Sequence, residues 1–241
     1  MRKAIIRSAS SSFFAVAGIS FLLIFIAGMK HPLMNDQSSV EKTYSYLALG
    51  DSYTIGEKVT RPENFPNQLA SGLRERGINC RVPKIIAKTG WTTDELEAGI
   101  SQSRLRRKYD LVTLLIGVND QYRGRPVVDY IPRFEALLKK AIAFAGDKPS
   151  HVVVFSIPDW GVTPFAQGRD RNLIASEIDA FNAANELVSR KYGVHYISIT
   201  QGSRRASDDV DLLTTDGLHP SGKMYAQWTA DALPYIVKEL H

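Results

Sequence analysis

The chain has 241 residues, of which 44% are hydrophobic and 23% charged, a balance that excludes a disordered, collagen-like or low-complexity polymer. Its formal charge of +5 overstates how basic the folded part is. Arg2, Lys3 and Arg7 stand in the first 29 residues with no acid beside them, so residues 30–241 carry only +2 and nucleic acid is not implied as a partner.

In chain order, the first feature is Phe13 to Gly28, a 16-residue stretch with one hydroxyl, Ser20, and no charge. A basic start followed by an apolar run reads as an export segment; a secretory signal needs about 7–15 apolar residues and a spanning helix about 18 or more. Sixteen lies between them, so residues 1–29 are read as a signal peptide or an N-terminal membrane anchor. Either reading places the remainder in the periplasm or outside the cell, with membrane association through residues 13–28 in the second case. Met29 stands where a lipoprotein leader carries its lipid-bearing cysteine, which disfavours lipidation. Residues 30–43, with Pro32, Asn35, Asp36 and two serines, read as a polar linker, leaving 44–241 as one domain.

From Tyr44 onward, short apolar runs alternate with amphipathic stretches of helical length. Strands are expected at Tyr44–Leu49, Arg81–Ala87, Leu111–Ile116, Val152–Ile157 and Val194–Ile199. Leu111–Ile116 and Val152–Phe155 are nearly continuous apolar runs, as strands covered on both faces require. Pro66 and Gly77 bracket a first helix, and Thr92 with Glu95 has the spacing of a capping box that starts a second. A third carries Tyr130, Phe134, Leu137, Ala141 and Phe144 and stops at Gly146. A fourth carries Ile174, Ile178, Phe181, Leu187 and Val188 and stops at Gly193; the last carries Met224, Trp228 and Ala232. Five such units predict a three-layer α/β/α domain around a five-stranded parallel sheet, with function in the loops after the strands.

Those loops hold the chemistry. Gly50-Asp51-Ser52 places a serine on a turn at the rim of the sheet, where its hydroxyl is available as a nucleophile. Gly117-Val118-Asn119-Asp120 combines a permissive glycine with an amide able to donate to an oxyanion, although an Asx turn ending a strand has the same letters. Asp216-Gly217-Leu218-His219-Pro220 sets a carboxylate three residues before an imidazole, a spacing that fixes one ring nitrogen and frees the other. The other histidines, His31, His151, His195 and His241, lack such a partner nearby in the sequence. Gly50-Asp51-Ser52, Gly90, Gly117-x-Asn119-Asp120 and Asp216-x-x-His219-Pro220, in this order over residues 44–240, closely resemble the four blocks of the SGNH hydrolases, the GDSL esterase/lipase family.

The resemblance implies a flavodoxin-like fold and a serine esterase that works without a cofactor on a small-molecule ester, a lipid or an acylated sugar. It implies that Ser52 is the nucleophile, His219 the general base and Asp216 its orienting partner. The oxyanion hole would comprise the backbone N–H groups of Ser52 and Gly90 and the side chain of Asn119. Tyr53 stands where the family name has Leu, and Lys88-Thr89 precede Gly90 where an Asn is common. Neither departure removes a catalytic group. Tyr53, Trp91, Tyr122, Trp160 and Phe165 are candidates to line a substrate cleft, whereas Arg123, Arg125, Arg169 and Arg171 are candidates to meet an anionic group. A carbohydrate O-acetylesterase, an acyl transferase and an inactive membrane-anchored binding module are the alternatives.

Competing signals are weak. Gly217 to Lys223 has phosphate-loop spacing, but Met224 replaces the hydroxyl that magnesium needs. No G-x-S-x-G, H-E-x-x-H or paired C-x-x-C occurs, and Cys80, the only cysteine, forms no internal disulfide. Arg104 to Lys108 reads as a basic helix end with a solvated face.

Overall fold

The computed structural model describes residues 42–241. The export segment and nearly all of the linker expected before Tyr44 lie outside the described residues. Five parallel strands form one sheet in the order β2-β1-β3-β4-β5: β1 (Tyr46–Gly50), β2 (Lys84–Ala87), β3 (Leu111–Leu115), β4 (Val152–Phe155) and β5 (His195–Ile197). The three central strands are buried along their whole length, which explains their unbroken apolar sequences; the edge strands β2 and β5, which carry Lys84 and His195, are covered only in part.

The chain steps from β1 outward to β2, returns past β1 to β3, and continues to β4 and β5. Right-handed crossovers then send the helix of the first connection to one face and those of the later connections to the other. Accordingly α2 (Phe65–Arg74) packs with the C-terminal α8 (Gly222–Leu240), while α3 (Thr93–Gln102), α5 (Val127–Phe144) and α6 (Arg171–Lys191) pack in succession. Phe65 of α2 meets Trp228 and Tyr225 of α8 with ring centroids 6.2 Å apart, and Tyr130 of α5 meets Phe181 of α6 at 4.6 Å. The reversal of direction between β1 and β3 opens a crevice at their carboxyl ends, where open α/β sheets bind ligands. Short helices α1 (Ser52–Ile55) and α4 (Val118–Tyr122) start there, and α7 (Thr200–Arg204) follows β5.

The expected strands and helices are all present, with local differences: β1 begins at Tyr46 instead of Tyr44, β3 ends at Leu115 instead of Ile116, and β4 ends at Phe155 instead of Ile157. β2 begins at Lys84 instead of Arg81, because Pro83 has no N–H for a ladder and the chain before it makes only an isolated bridge, Cys80 to Tyr44. The last strand, expected over Val194–Ile199, is confined to His195–Ile197. Leu187, expected on the buried stripe of α6, is 69% exposed, since the stripe runs through Ile178, Phe181, Ala184 and Val188. The basic run Arg104–Lys108 directly follows the C-cap of α3 at Ser103, with its cations exposed to solvent. Among the described residues, no helix is long and apolar enough to cross a membrane.

Gly117 joins β3 to α4 at φ +126°, and a Cβ there would lie 2.5 Å from Tyr130 Oη and 2.9 Å from Ile157 Cδ1. Gly124 also has positive φ, +71°, but nothing stands within 4 Å of a Cβ. Gly124→Ala is therefore expected to cost about 1 kcal/mol from backbone strain, and Gly117→Ala about 3 kcal/mol or more because overpacking adds to strain. Denaturant midpoints of the two variants check this; equal losses would contradict the steric account.

Candidate active site

The rim of β1 is built around a contact that only glycine permits. A Cβ on Gly50 would lie 2.4 Å from the Leu115 carbonyl of β3 and 2.1 Å from Thr54 Oγ1, so this bare backbone lets the two strands end side by side. Asp51 then caps α1, its Oδ1 accepting the Tyr53 N–H at 3.0 Å. Ser52 is the first residue of α1 and is 5% exposed. Asp51 is fully buried, its Oδ2 has no hydrogen-bond partner among the described residues, and burial pushes its carboxyl up to about 8.

The second and third blocks are bound to each other. Gly90 sits at φ +82° in a turn closed by Trp91 N–H donating to the Lys88 carbonyl. The expected cap follows, the Thr92 N–H donating to Glu95 Oε2 at 2.8 Å. Asn119, in α4, donates from Nδ2 to the Trp91 carbonyl at 2.9 Å, which uses one of its two amide hydrogens. Arg123 Nη2 donates to the Gly90 carbonyl at 2.7 Å. Asp120, fully buried, accepts the Thr93 N–H at 2.9 Å and its hydroxyl at 2.8 Å, and pairs with Arg125.

In the fourth block, Asp216 spends each oxygen differently. Oδ1 accepts the Thr214 hydroxyl and the N–H groups of Leu218 and His219 at 2.8, 2.9 and 3.0 Å, while Oδ2 lies 2.7 Å from His219 Nδ1. Partial burial pushes this carboxyl up, but the hydrogen bonds from His219, Thr214 and Leu218 outweigh it and pull it down to about 2. An ionised Asp216 therefore selects the tautomer with hydrogen on Nδ1 and leaves Nε2 free to accept. The His219 ring packs on Tyr53 with centroids 5.7 Å apart.

Ser52, Tyr53, Gly90, Asn119, Tyr122, Trp160, Phe165 and His219 line one cleft of about 170 Å³. Trp91 does not: only its carbonyl serves this region, and its ring lies against Gly99 in place of a side chain there. Thr89, Val118 and Leu218 line the cleft without having been anticipated; Val118 and Leu218 are the variable letters inside two of the blocks. Tyr122, Trp160 and Phe165 form an aromatic wall with ring centroids 5.4–6.2 Å apart. Three of the four candidate arginines have partners elsewhere. Arg123 pairs with Glu95, Arg125 with Asp120 and Asp94, and Arg171 donates to the Gly161 and Thr163 carbonyls. No group of acids, histidines or cysteines suited to a metal ion occurs among the described residues.

The model of the GDSL-like lipase/acylhydrolase family matches residues 48–227, from β1 into α8. The chain belongs to this family. It is an ester-hydrolysing enzyme with the α/β fold of the SGNH hydrolases. A lipolytic G-D-S-L protein from Veillonella parvula superposes with a TM-score of 0.62 at 16% identity, covering 80% of this chain and 97% of that one. TesA superposes at 0.60 with 19% identity, covering 83% and 100%. Axe2, an acetylxylan esterase from Geobacillus stearothermophilus, superposes at 0.57 with 15% identity, covering 82% and 94%. No curated protein sequence matches the chain.

The aspartate of the Gly-Asp-Ser block ties the stability of the fold to pH. Asp51 is raised from 3.8 to about 8 in the fold, so the folded state retains a proton that the unfolded chain releases above pH 4. Its contribution to stability is full below that pH and is lost as pH rises through about 8, at up to about 1.4 kcal/mol per pH unit. Asp51→Asn keeps the cap acceptor and cannot ionise. The variant is expected to gain stability over the wild type steadily from pH 4.5 to 8 and no further above it. Denaturant titrations across this range check the trend; parallel curves would contradict it.

Proposed function

We propose that the enzyme hydrolyses carboxylic esters with small acyl groups through an acyl-enzyme on Ser52. The observation that carries the reading is the Asp216–His219 pair, held at 2.7 Å and presented in the same cleft as Ser52, Gly90 and Asn119. Ser52 Oγ attacks the acyl carbon as His219 Nε2 takes its proton, and the ionised Asp216 stabilises the imidazolium that results. The carbonyl oxygen becomes an oxyanion that accepts from the N–H groups of Ser52 and Gly90 and from the Asn119 amide hydrogen not given to Trp91. Collapse breaks the ester C–O bond, and His219 returns the proton to the leaving alcohol. Water, deprotonated by His219, then attacks the acyl-enzyme and releases the acid with Ser52 restored.

A cleft of about 170 Å³ is below the roughly 300–1,000 Å³ of sites for drug-sized ligands, which favours short acyl groups over long lipid chains. The fold likeness to an acetylxylan esterase supports a second reading, removal of O-acetyl groups from carbohydrate, with the same residues in the same roles. The uncharged stretch Phe13–Gly28 behind three basic residues supports action outside the cytoplasm.

Ser52→Ala is expected to abolish hydrolysis of p-nitrophenyl acetate and butyrate and to prevent the mass increase that a phosphonate inhibitor gives the wild type. Asn119→Ala is expected to lower kcat by about 10² to 10³, the usual worth of one oxyanion donor. Rates on C2 to C12 esters and on acetylated glycans, with added alcohol acceptors, separate esterase, deacetylase and transferase. A Ser52→Ala variant as active as the wild type would sink the reading, and so would a wild type inert on every ester.

A further inference from the structure

We propose that Arg169 selects substrates bearing an anionic group beyond the ester, a carboxylate or phosphate that passes along the aromatic wall; this rests on the esterase reading above. Arg169 is the arginine of the four whose guanidinium, among the described residues, neither forms an ion pair with a carboxylate nor donates to a backbone carbonyl. Its guanidinium carbon lies over the rings of Tyr122, Trp160 and Phe165 at 5.1, 5.4 and 5.9 Å. These three residues are also the wall of the cleft that holds Ser52 and His219.

The cation is fixed by contacts that leave its charge unneutralised. Attraction to the π-faces orients it without transferring charge, and Nη2 donates one hydrogen bond, to Tyr122 Oη at 3.1 Å. A guanidinium has five N–H donors in one plane, so a fork remains for the two oxygens of a carboxylate or phosphate. The neighbouring carboxylate, Asp170, is engaged as the N-cap of α6, accepting the Leu173 N–H at 3.0 Å. Arg169 is exposed, so a substrate reaches it without any rearrangement of the wall.

The chemistry of this placement is specific. A short neutral ester ends within the cleft and does not meet the guanidinium. An ester of similar length ending in an anion gains a charge-assisted, two-point contact at its far end, which lowers KM and, if strengthened at the transition state, raises kcat.

The test compares matched pairs in the wild type, Arg169→Gln and Arg169→Lys. One pair places the anion on the acyl side, p-nitrophenyl hemisuccinate against p-nitrophenyl butyrate. The other places it on the alcohol side, 4-acetoxybenzoate against its methyl ester. The wild type is expected to prefer the anionic member of at least one pair, and Arg169→Gln to lower kcat/KM for that member about 10- to 100-fold while changing the neutral member less than threefold. Arg169→Lys is expected to retain part of the preference, because a point charge replaces a fork. The preference is expected to shrink with added salt in the wild type and in Arg169→Lys, but not in Arg169→Gln. Equal losses on charged and neutral esters would overturn the proposal by making Arg169 a prop for the aromatic wall, as would the absence of any preference in a wild type that hydrolyses the neutral esters well. Inactivity of the wild type on all four esters would count against the esterase reading instead.

Discussion

A fully buried carboxylate holds the cleft in register. Asp120 receives the backbone N–H and hydroxyl of Thr93 and the guanidinium of Arg125, which continues to Asp94; Arg133 closes the group on Asp94 at 2.8 Å. Thr93 lies three residues after Gly90, and Asn119 directly precedes Asp120, so one set of bonds ties together the Gly90 turn and the start of α4, which hold two of the three proposed oxyanion donors. The bonds from Asn119 to the Trp91 carbonyl and from Arg123 to the Gly90 carbonyl add two more links across the same seam. Loss of one partner from a buried pair costs about 3–5 kcal/mol, so this arrangement makes the spacing of Gly90 and Asn119 part of the stability of the fold. Such rigidity suits oxyanion donors, whose value lies in being aimed before charge develops.

The other half of the site depends on a contact made by residues far apart in the chain. His219 stands just ahead of α8, and α8 is positioned by α2, through Phe65 against Tyr225 and Trp228 and through Gln68 Nε2 donating to the Gly222 carbonyl at 3.0 Å. Ser52 opens α1, which precedes α2 in the chain directly after β1. Packing of the first long helix against the last therefore brings the proposed nucleophile and base together, and Tyr53, wedged between the His219 and Trp228 rings, transmits that packing to the site. The family block order, from residue 52 to residue 219, follows from this closure of the sheet by its final helix.

Much of this was readable in the sequence where the physics is local. Unbroken apolar runs marked the covered strands, Thr92 and Glu95 marked the start of α3, and Asp216 and His219 were close enough in sequence for their pairing to be expected. What depended on distant partners was not readable. Nothing in Arg123-Gly124-Arg125 tells that these cations turn toward Glu95, Asp94 and Asp120, whereas Arg169 rests on three rings. Trp91 follows the Gly90 turn and was expected to line the cleft, but the helix it precedes has Gly99 where its ring must fit. Leu187 differs for another reason: a three-residue step from Ala184 keeps the helical period but rotates it past the edge of the buried stripe, where Val188 takes over.

Two aspartates of the family blocks illustrate how environment divides one chemistry into two. Asp51 is enclosed by the ends of β1 and β3, accepts one backbone N–H and leaves its second oxygen without a donor; burial wins, and the carboxyl rises to about 8. Asp216 lies in a turn whose backbone converges on it, accepts four hydrogen bonds and falls to about 2. Near neutral pH the first is therefore mainly a neutral acid beside Ser52 and the second a fixed negative charge beneath His219. That division matters for the proposed reaction. A charged Asp51 next to the nucleophile would oppose the oxyanion that forms on the same turn, whereas the negative charge of Asp216 is directed through the imidazole ring to the side where the proton arrives. The burial that destabilises Asp51 as an anion thus keeps the only negative charge contributed by these two blocks on the side of the base.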